Sequence, residues 1–220
     1  MVEAEDAMSP SQTSTQPILE TVPLEHLPAS HSVHVAVFKD VKNAAFLHQQ
    51  LLSRNAAFEY AFIDASVITS QLQVLSAVFK AITAQAAGLM KTPNVHSEIV
   101  YSLSPANNIS EAYRRHGITP TSQNLVIVKV LVSSNSSADA SSEVKIPSTP
   151  SEVESHLLAN VEGTSHPFTD EVLQSMTDHS KIRKYYKLNG MGWLDGIKDD
   201  NIKRHETEML IVGGIALRGV

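Results

Sequence analysis

The residues best suited to chemistry lie together in residues 96–118, HSEIVYSLSPANNISEAYRRHGI. This stretch carries a histidine and a glutamate two positions apart, a doubled asparagine and two adjacent arginines. His96 and Glu98 are residue types that serve as general acids and bases, whereas Arg114 and Arg115 are donors that bind phosphates. The stretch therefore suggests either proton transfer on a small molecule or contact with a phosphate-bearing partner.

The arginine pair also has a purely structural explanation. Asn108 is suited to be the N-cap of a short helix, Glu111 to close a capping box and Gly117 to supply a left-handed residue at its end. Glu111 would then pair with Arg115 at i,i+4, and arginines suit the C-terminal end of a helix. The alternative is a phosphate-binding patch formed by both arginines and Lys91. The residues alone leave both explanations open.

Composition narrows the class of protein. The 220 residues are enough for one domain with a hydrophobic core, and no apolar run is long enough to span a membrane. Cysteine is absent, which excludes disulfides and thiolate chemistry, and no nucleotide-binding or hydrolase motif occurs. His31 and His34 have no carboxylate support for a metal. We expect a nuclear and cytoplasmic protein with no catalytic residues, no metal and no cofactor.

The net charge of −6 is concentrated at the start of the chain. Five of the 23 acidic residues and none of the 17 basic residues lie in residues 1–25, which are predicted to be a disordered acidic tail. The rest of the chain carries 18 acidic and 17 basic residues. Such a balance neither requires nor forbids nucleic-acid binding, because a local basic patch can lie on a neutral body.

Hydrophobic periodicity predicts a single α+β domain over residues 26–220, with a central mixed, largely antiparallel sheet packed with helices. Strands are predicted at 32–38, 58–64, 95–103 and 124–132, and helices at 43–55, 68–88, 109–116, 150–160 and 168–186. Residues 133–151 are predicted to be a low-complexity loop, and residues 189–206 an exposed insertion.

The predicted strand at 95–103 bears on the acid–base pair. Apolar and polar residues alternate along it, with Val95, Ser97, Ile99, Tyr101 and Leu103 on one face. We expect the histidine and glutamate of this strand not to converge on one substrate. A small-molecule enzyme is therefore the weaker interpretation.

Four stretches, read in order, resemble one protein family: FKDVKNA (38–44), IDASVITSQLQVLSAVFKAI (63–82), GLMKTPNVHSEIVYSLSPANNISEAYRRHGI (88–118) and KYYKL (184–188). The family is the PRPK-binding protein (TPRKB in animals), the small subunit of the KEOPS/EKC complex. The resemblance covers residues 33–132 well and 150–188 loosely. The acidic tail, the serine-rich loop and the insertion depart from the family.

The resemblance implies a non-catalytic subunit that binds the small atypical kinase/ATPase of that complex and supports N6-threonylcarbamoyladenosine modification of tRNA. It also implies recognition of the single-stranded 3′ CCA tail of tRNA, which requires phosphate donors and groups for unstacked bases. Residues that offer such groups are Lys91, Thr92, Asn108, Ser110, Arg114 and Arg115, with Glu98 either accepting from a base amino group or simply solvated. A pure adaptor of the kinase, with no RNA contact, is the open alternative.

The C-terminal segment EMLIVGGIALRG is the candidate contact with the kinase. It is too apolar for a solvated tail, because four side chains need burial: Leu210, Ile211, Ile215 and Leu217. Gly213 and Gly214 weaken either a helix or a strand over 207–218, and the family resemblance favours a helix. These residues either dock the kinase or complete the domain's own core.

Overall fold

The centre of the fold is an antiparallel sheet rich in valine. In the computed structural model, which describes residues 18–133 and 146–218, its strands are β1 (Glu20–Val22), β2 (His31–Lys39), β3 (Ala61–Asp64), β4 (Leu125–Val132) and β5 (Thr164–His166). The order is β1–β2–β4–β3, and β5 pairs with β2 on the same edge as β1. The β2–β4 pair runs from His31 opposite Val132 to Phe38 opposite Leu125.

Nine helices pack around this sheet within the described residues. They are α1 (Ala44–Leu52), α2 (Gln71–Ala86), α3 (Val95–Ser102), α4 (Ile109–His116), α5 (Pro150–Asn160), α6 (Asp170–Met176), α7 (His179–Tyr185), α8 (Gly192–Asp195) and α9 (Asp200–Leu217). Side-chain oxygens of Ser70, Asn94 and Asn108 accept the backbone N–H three residues ahead and so begin α2, α3 and α4. None of these helices is long and apolar enough to cross a membrane.

Successive side chains of each strand point to opposite faces of the sheet, so the interior is divided into two cores. Val35 of β2 and Val128 of β4 point to the side that holds α2, α3 and α9, whereas Phe38 and Ile127 point to the side that holds α1 and α5. All four side chains are buried. Burying one such side chain contributes about 1.5–3 kcal/mol, so the two-sided sheet is the main source of stability.

The predicted α+β fold is confirmed, and every strand pair in the described chain is antiparallel. The predicted strands at 32–38, 58–64 and 124–132 are present, although the second is shorter. The helix predicted at 168–186 is two helices, because Asp178 interrupts it and caps α7 with its carboxylate. The segment over 207–218 is helical, as the resemblance favoured.

The strand predicted at 95–103 is wrong, because these residues form α3. Val95, Ile99 and Leu103 recur every four residues and face the core together, so the helical period fits as well as the alternation does. The Asn94 cap decides between the two, since its side chain accepts from the Ser97 N–H at 2.8 Å. A capped start is incompatible with a strand that runs through this position.

Three predicted segment boundaries also change. The acidic tail does not extend to residue 25, because Glu20–Val22 pair with β2, and residues 1–17 lie outside the description. Residues 189–206, predicted to be an exposed insertion, contain α8 and the first turns of α9, and Leu194 within them is buried in the core. The serine-rich loop, predicted to end at residue 151, ends where α5 begins at Pro150, and residues 134–145 are not described.

Candidate functional site

The capped helix α4 carries the arginine pair, and the two arginine side chains differ in how firmly other residues hold them. Arg115 forms an ion pair with Glu111 and lies over the ring of Tyr185, 4.9 Å from its Cζ to the ring centroid. Arg114 Nη2 lies 3.7 Å from Glu111 Oε1. The side chain of Arg115 is 21% exposed and that of Arg114 is 73% exposed. Arg115 therefore pairs with Glu111 as the structural explanation predicts, whereas Arg114 projects into solvent.

Gly117 ends α4 in a different way from the one predicted. Its φ is −77°, so it is not a left-handed residue. A Cβ at this position would lie 2.8 Å from the carbonyl oxygen of Tyr113. Glycine is required here because the chain turns tightly against the end of its own helix.

A polar pocket of about 360 Å³ lies between α4, the turn after β3 and α7. The charged and hydroxyl side chains that line it include Asp64, Ser66, Arg114, Arg115, Ser122 and Lys181. Asp64 Oδ1 accepts from the Ser66 N–H and Oδ2 from the Ser122 hydroxyl, while Lys181 Nζ donates to Ser66 Oγ at 2.9 Å. Three cations thus line the pocket with one carboxylate that is already hydrogen-bonded, while Glu111, which pairs with the two arginines, lies outside its lining. Three cations against these two carboxylates leave an excess of positive charge that is suited to a phosphate group.

An apolar groove of about 720 Å³ adjoins the polar pocket. Both cavities are lined by Arg114, Gly117 and Thr119, so Arg114 stands on the ridge between them. Aromatic and aliphatic side chains line the groove: Leu51, Leu52, Phe58, Tyr60, Phe62, Val100, Tyr113 and Ile118. Such a surface can hold the flat faces of unstacked bases.

The structure removes Glu98 and Thr92 from the predicted RNA-binding set. Glu98 is buried on α3, and its Oε2 accepts from the N–H groups of Lys91 and Thr92 and from the Thr92 hydroxyl. It is neither an exposed strand carboxylate nor a free acceptor for a base. The pair instead fixes the turn that precedes α3.

The other predicted residues of that set are exposed. Lys91, Asn108 and Ser110 lie at the surface, but none of them lines the pocket or the groove. Asn108 uses its side-chain oxygen as the N-cap of α4. The structure therefore brings only Arg114 and Arg115 together from the predicted set. Lys181, which completes the pocket, was missed, because it is 66 residues beyond Arg115 and only the fold joins them.

His96 and Glu98 do not form an acid–base pair. His96 Nε2 accepts from the Val130 N–H at 3.0 Å, so the ring faces the sheet while Glu98 faces the turn at Thr92. Burial lowers the pKa of His96 to about 3, which keeps it neutral. Residues two apart share one face of a strand, so the expected divergence did not follow from the strand predicted at 95–103. On α3 the two residues are separated by about 200°. Their failure to converge follows from the helix.

His31 and His34 are held by hydroxyl and amide groups. His34 contacts the hydroxyls of Thr21 and Ser32, and His31 contacts Ser30 and Gln85. Over residues 18–133 and 146–218, no group of three or more histidines and carboxylates is arranged to hold a metal ion.

The predicted kinase-contact residues divide into buried and exposed ones. Ile211 and Ile215 are fully buried in the domain's own core, so they present no surface to a partner, and this part of the prediction is corrected. Leu210 is partly buried against the same core. Leu217, in contrast, is 70% exposed. The core explanation therefore applies to the two isoleucines, and the docking explanation is left to Leu217 and its neighbours.

Five exposed apolar side chains lie on α2 and α9, which pack against each other. They are Leu72 and Phe79 on α2 and Ile202, Met209 and Leu217 on α9. Ser70 and Thr207 line the same cavity, whereas Lys80 Nζ donates to the carbonyls of Ile215 and Arg218 at 2.6 and 2.7 Å. The start of α2 thus lies near the middle of α9 and the later part of α2 near the end of α9, so the two helices run parallel. We call these five residues the α2–α9 surface.

Comparison with known proteins gives consistent matches. A family model described as "Kinase binding protein CGI-121" matches residues 38–219. A protein of Gibberella zeae named "EKC/KEOPS complex subunit CGI121" is 57% identical over 202 residues, which cover 92% of this chain and 99% of that protein. Its namesake from Neurospora crassa is 45% identical over 205 residues, covering 92% and 99%. The namesake from Schizosaccharomyces pombe is 38% identical over 157 residues, covering 71% and 82%.

Proposed function

The chain belongs to the CGI-121 family, and we propose that it is a non-catalytic subunit of an EKC/KEOPS complex that binds the small kinase/ATPase of that complex and the 3′ CCA tail of tRNA. The family is the one that the sequence resembles, so that resemblance is confirmed. In this role the subunit supports N6-threonylcarbamoyladenosine modification by holding the tRNA and the kinase.

The observation that supports RNA binding is the position of Arg114 between two cavities of opposite character. The polar pocket has an excess of cations, and the groove beside it is lined by aromatic and aliphatic groups. A single-stranded RNA end offers the matching parts, because its phosphates are charged and its bases are unstacked. The guanidinium on the ridge can then bind a phosphate while the adjacent base enters the groove.

The observation that supports kinase binding is the α2–α9 surface. Its large apolar side chains are exposed along two packed helices, and protein interfaces centre on a few apolar anchors. The buried part of the same helix keeps α9 in place, because Ile211 and Ile215 lie in the core. None of the five residues lines the polar pocket, so docking through them leaves the residues of that pocket available to RNA.

The RNA proposal is tested by Arg114→Ala and Lys181→Ala, with Lys42→Ala as the control at an exposed lysine outside both cavities. Binding is measured with intact tRNA and with tRNA lacking the CCA end, over a series of salt concentrations. We expect each pocket variant to weaken the binding of intact tRNA severalfold and to reduce the salt slope by about one charge. The Lys42 variant keeps both the affinity and the slope.

The pure adaptor makes the opposite prediction in this experiment. It requires equal affinity of the wild-type protein for intact and CCA-lacking tRNA, and no effect of either pocket substitution. That result, obtained with folded variants, would reject the RNA part of the proposal and leave kinase binding as the function.

A further inference from the structure

Gly213 lies in the interior of α9, where glycine weakens a helix relative to alanine. Its φ is not positive, because Gly88 and Gly190 are the glycines of the described chain that adopt the left-handed region. A Cβ added at Gly213 would meet no described atom within 4 Å other than its chain neighbours and the backbone of its own helix. Neither backbone conformation nor packing within the described chain therefore requires glycine here.

The neighbouring glycine, Gly214, has a different environment. A Cβ at Gly214 would lie 3.7 Å from the Cβ of Pro105, in the connection between α3 and α4, which is an ordinary van der Waals contact. Gly214 therefore faces this domain, whereas Gly213 faces open space. The pair provides a matched control, since the same residue type stands at adjacent positions of one helix.

The buried residues of α9 place Gly213 on the outward side of the helix. Ile211 and Ile215 are fully buried, and each is two positions away, or about 160° around the helix. Met209 and Leu217 are four positions before and after Gly213, so they lie on its side of the helix. They are 39% and 70% exposed. We call the gap between these two side chains, with Gly213 as its floor, the Gly213 notch.

Lys80 of α2 holds the end of α9 and so keeps the notch in one shape. Its Nζ donates to the carbonyl oxygens of Ile215, Ala216 and Arg218, at 2.6, 3.3 and 2.7 Å. Carbonyls at the end of a helix have no partner within the helix itself. Leu217 lies between two of the bound carbonyls, so its backbone is fixed. A preformed notch loses little conformational entropy when a partner binds.

The chemistry of the notch suits an apolar side chain of another protein. Residues 209–217 contain no charged residue, and the two side chains that bound the notch are apolar. A gap between residues four positions before and after a small residue is a hole that a side chain of a neighbouring helix can fill. The notch includes two residues of the α2–α9 surface, and it lies within residues 38–219, which match the kinase-binding family.

We propose that the Gly213 notch receives one large apolar side chain of the kinase subunit, and that glycine at this position determines whether that subunit can dock. The inference rests on the proposed function for the identity of the partner and adds the residue that sets the fit. A side chain at position 213 would fill the space that the partner needs, and overpacking a close apolar contact is unfavourable. A second copy of this chain is the competing occupant.

Gly213→Ala and Gly213→Leu test the notch, with Gly214→Ala as the control. The affinity of each full-length variant for the purified kinase subunit is measured by titration calorimetry. We expect Gly213→Ala to weaken binding about 5- to 150-fold and Gly213→Leu to weaken it further. Gly214→Ala is expected to keep the wild-type affinity. Wild-type affinity of Gly213→Leu would overturn the inference.

The melting temperature separates docking from a structural role of Gly213. Both alanine variants replace glycine by a better helix former, so each is expected to raise the Tm by about 2–4 °C. Stability and kinase affinity of Gly213→Ala then change in opposite directions, which a purely structural glycine does not produce. A lower Tm of Gly213→Ala would show that a Cβ clashes within this chain, and that result would also overturn the inference.

The notch and the proposed docking surface can fail separately. If Leu217→Glu abolishes kinase binding but Gly213→Leu does not, the surface stands and the notch is rejected. If neither variant changes kinase binding, the surface is rejected as well. Light scattering of the protein alone tests the competing occupant. A dimer that Gly213→Leu dissociates, with kinase affinity unchanged, would assign the notch to a second copy of this chain.

Discussion

His96 and His116 are buried histidines that the fold keeps uncharged. Burial lowers the pKa of His96 to about 3 and that of His116 to about 4, and Lys129 and Arg115 respectively add to the shift. His116 Nδ1 lies 3.3 Å from the Ala112 carbonyl oxygen, whereas no described group hydrogen-bonds its Nε2. Both rings therefore contribute to stability only while they stay neutral.

The sign of the pH dependence follows from these pKa values. The unfolded chain protonates both histidines near pH 6.5, while the folded chain does so only near pH 3–4. Stability is therefore full above pH 6.5 and is lost as the pH falls toward 4. We expect the free energy of unfolding to decrease by about 2 kcal/mol per histidine between pH 7 and pH 5. Urea denaturation at the two pH values measures it.

A variant isolates the contribution of one ring. His116→Phe places a similar ring beside Tyr185 and Tyr186, whose centroids each lie 5.9 Å from that of the imidazole. The variant should lose about half of the pH-dependent change. An unchanged pH dependence would show that His116 is accessible to protons in the folded state.

At the scale of the element, Glu98 links α3 to the turn before it. Its carboxylate accepts three hydrogen bonds, two of them from the backbone N–H groups of Lys91 and Thr92. Glu98→Ala leaves those donors without their partner, so we expect a loss of about 3 kcal/mol in the free energy of unfolding. Glu162→Ala, at an exposed position, should change it by less than about 0.5 kcal/mol.

The measurement is urea denaturation combined with tRNA binding. A normal stability of Glu98→Ala together with weaker tRNA binding would contradict the structural role and restore Glu98 as an acceptor for a base. The expected outcome is the reverse, because the carboxylate is buried and occupied.

How far the sequence predicts the elements depends on which signals compete. β2 and β4 were predictable because their valine-rich sequences fit a strand and no other element, and α4 was predictable because Asn108 and Glu111 mark its start. α3 was not, because residues 95–103 satisfy both the two-residue and the four-residue period.

The polar pocket could be predicted only in part. Arg114 and Arg115 are adjacent in sequence, but Lys181 reaches them through the packing of α7 against α4.

At the scale of the whole molecule, the two faces of the protein allow a matched test of kinase docking. Leu217 belongs to the α2–α9 surface, and Leu158 is also exposed but lies on α5, across the sheet. We expect Leu217→Glu to reduce the capture of the kinase subunit at least tenfold and Leu158→Glu to leave it unchanged, because only one face is proposed to dock. A pull-down with both variants, each checked by circular dichroism, measures this.

Ile211→Glu completes the same experiment. A charge at this fully buried position should lower the melting temperature sharply, so loss of kinase binding by this variant would reflect unfolding. A normal melt of Ile211→Glu with lost binding would instead place the kinase contact at the core-facing side of α9. Full capture by folded Leu217→Glu would reject the proposed surface.

The pairing of β2 with β4 also has a consequence for how the chain folds. About 85 residues separate Lys39 from Leu125, so the central strands meet only after a long loop has closed. On a ribosome that adds about 5–20 residues per second, β2 waits roughly 4–17 seconds for its partner. During that time the edge of β2 that pairs with β4 is uncovered, and β1 covers only three residues of the opposite edge. The nascent chain is therefore most exposed to aggregation between the synthesis of these two strands, which makes this interval the one in which a chaperone would protect it.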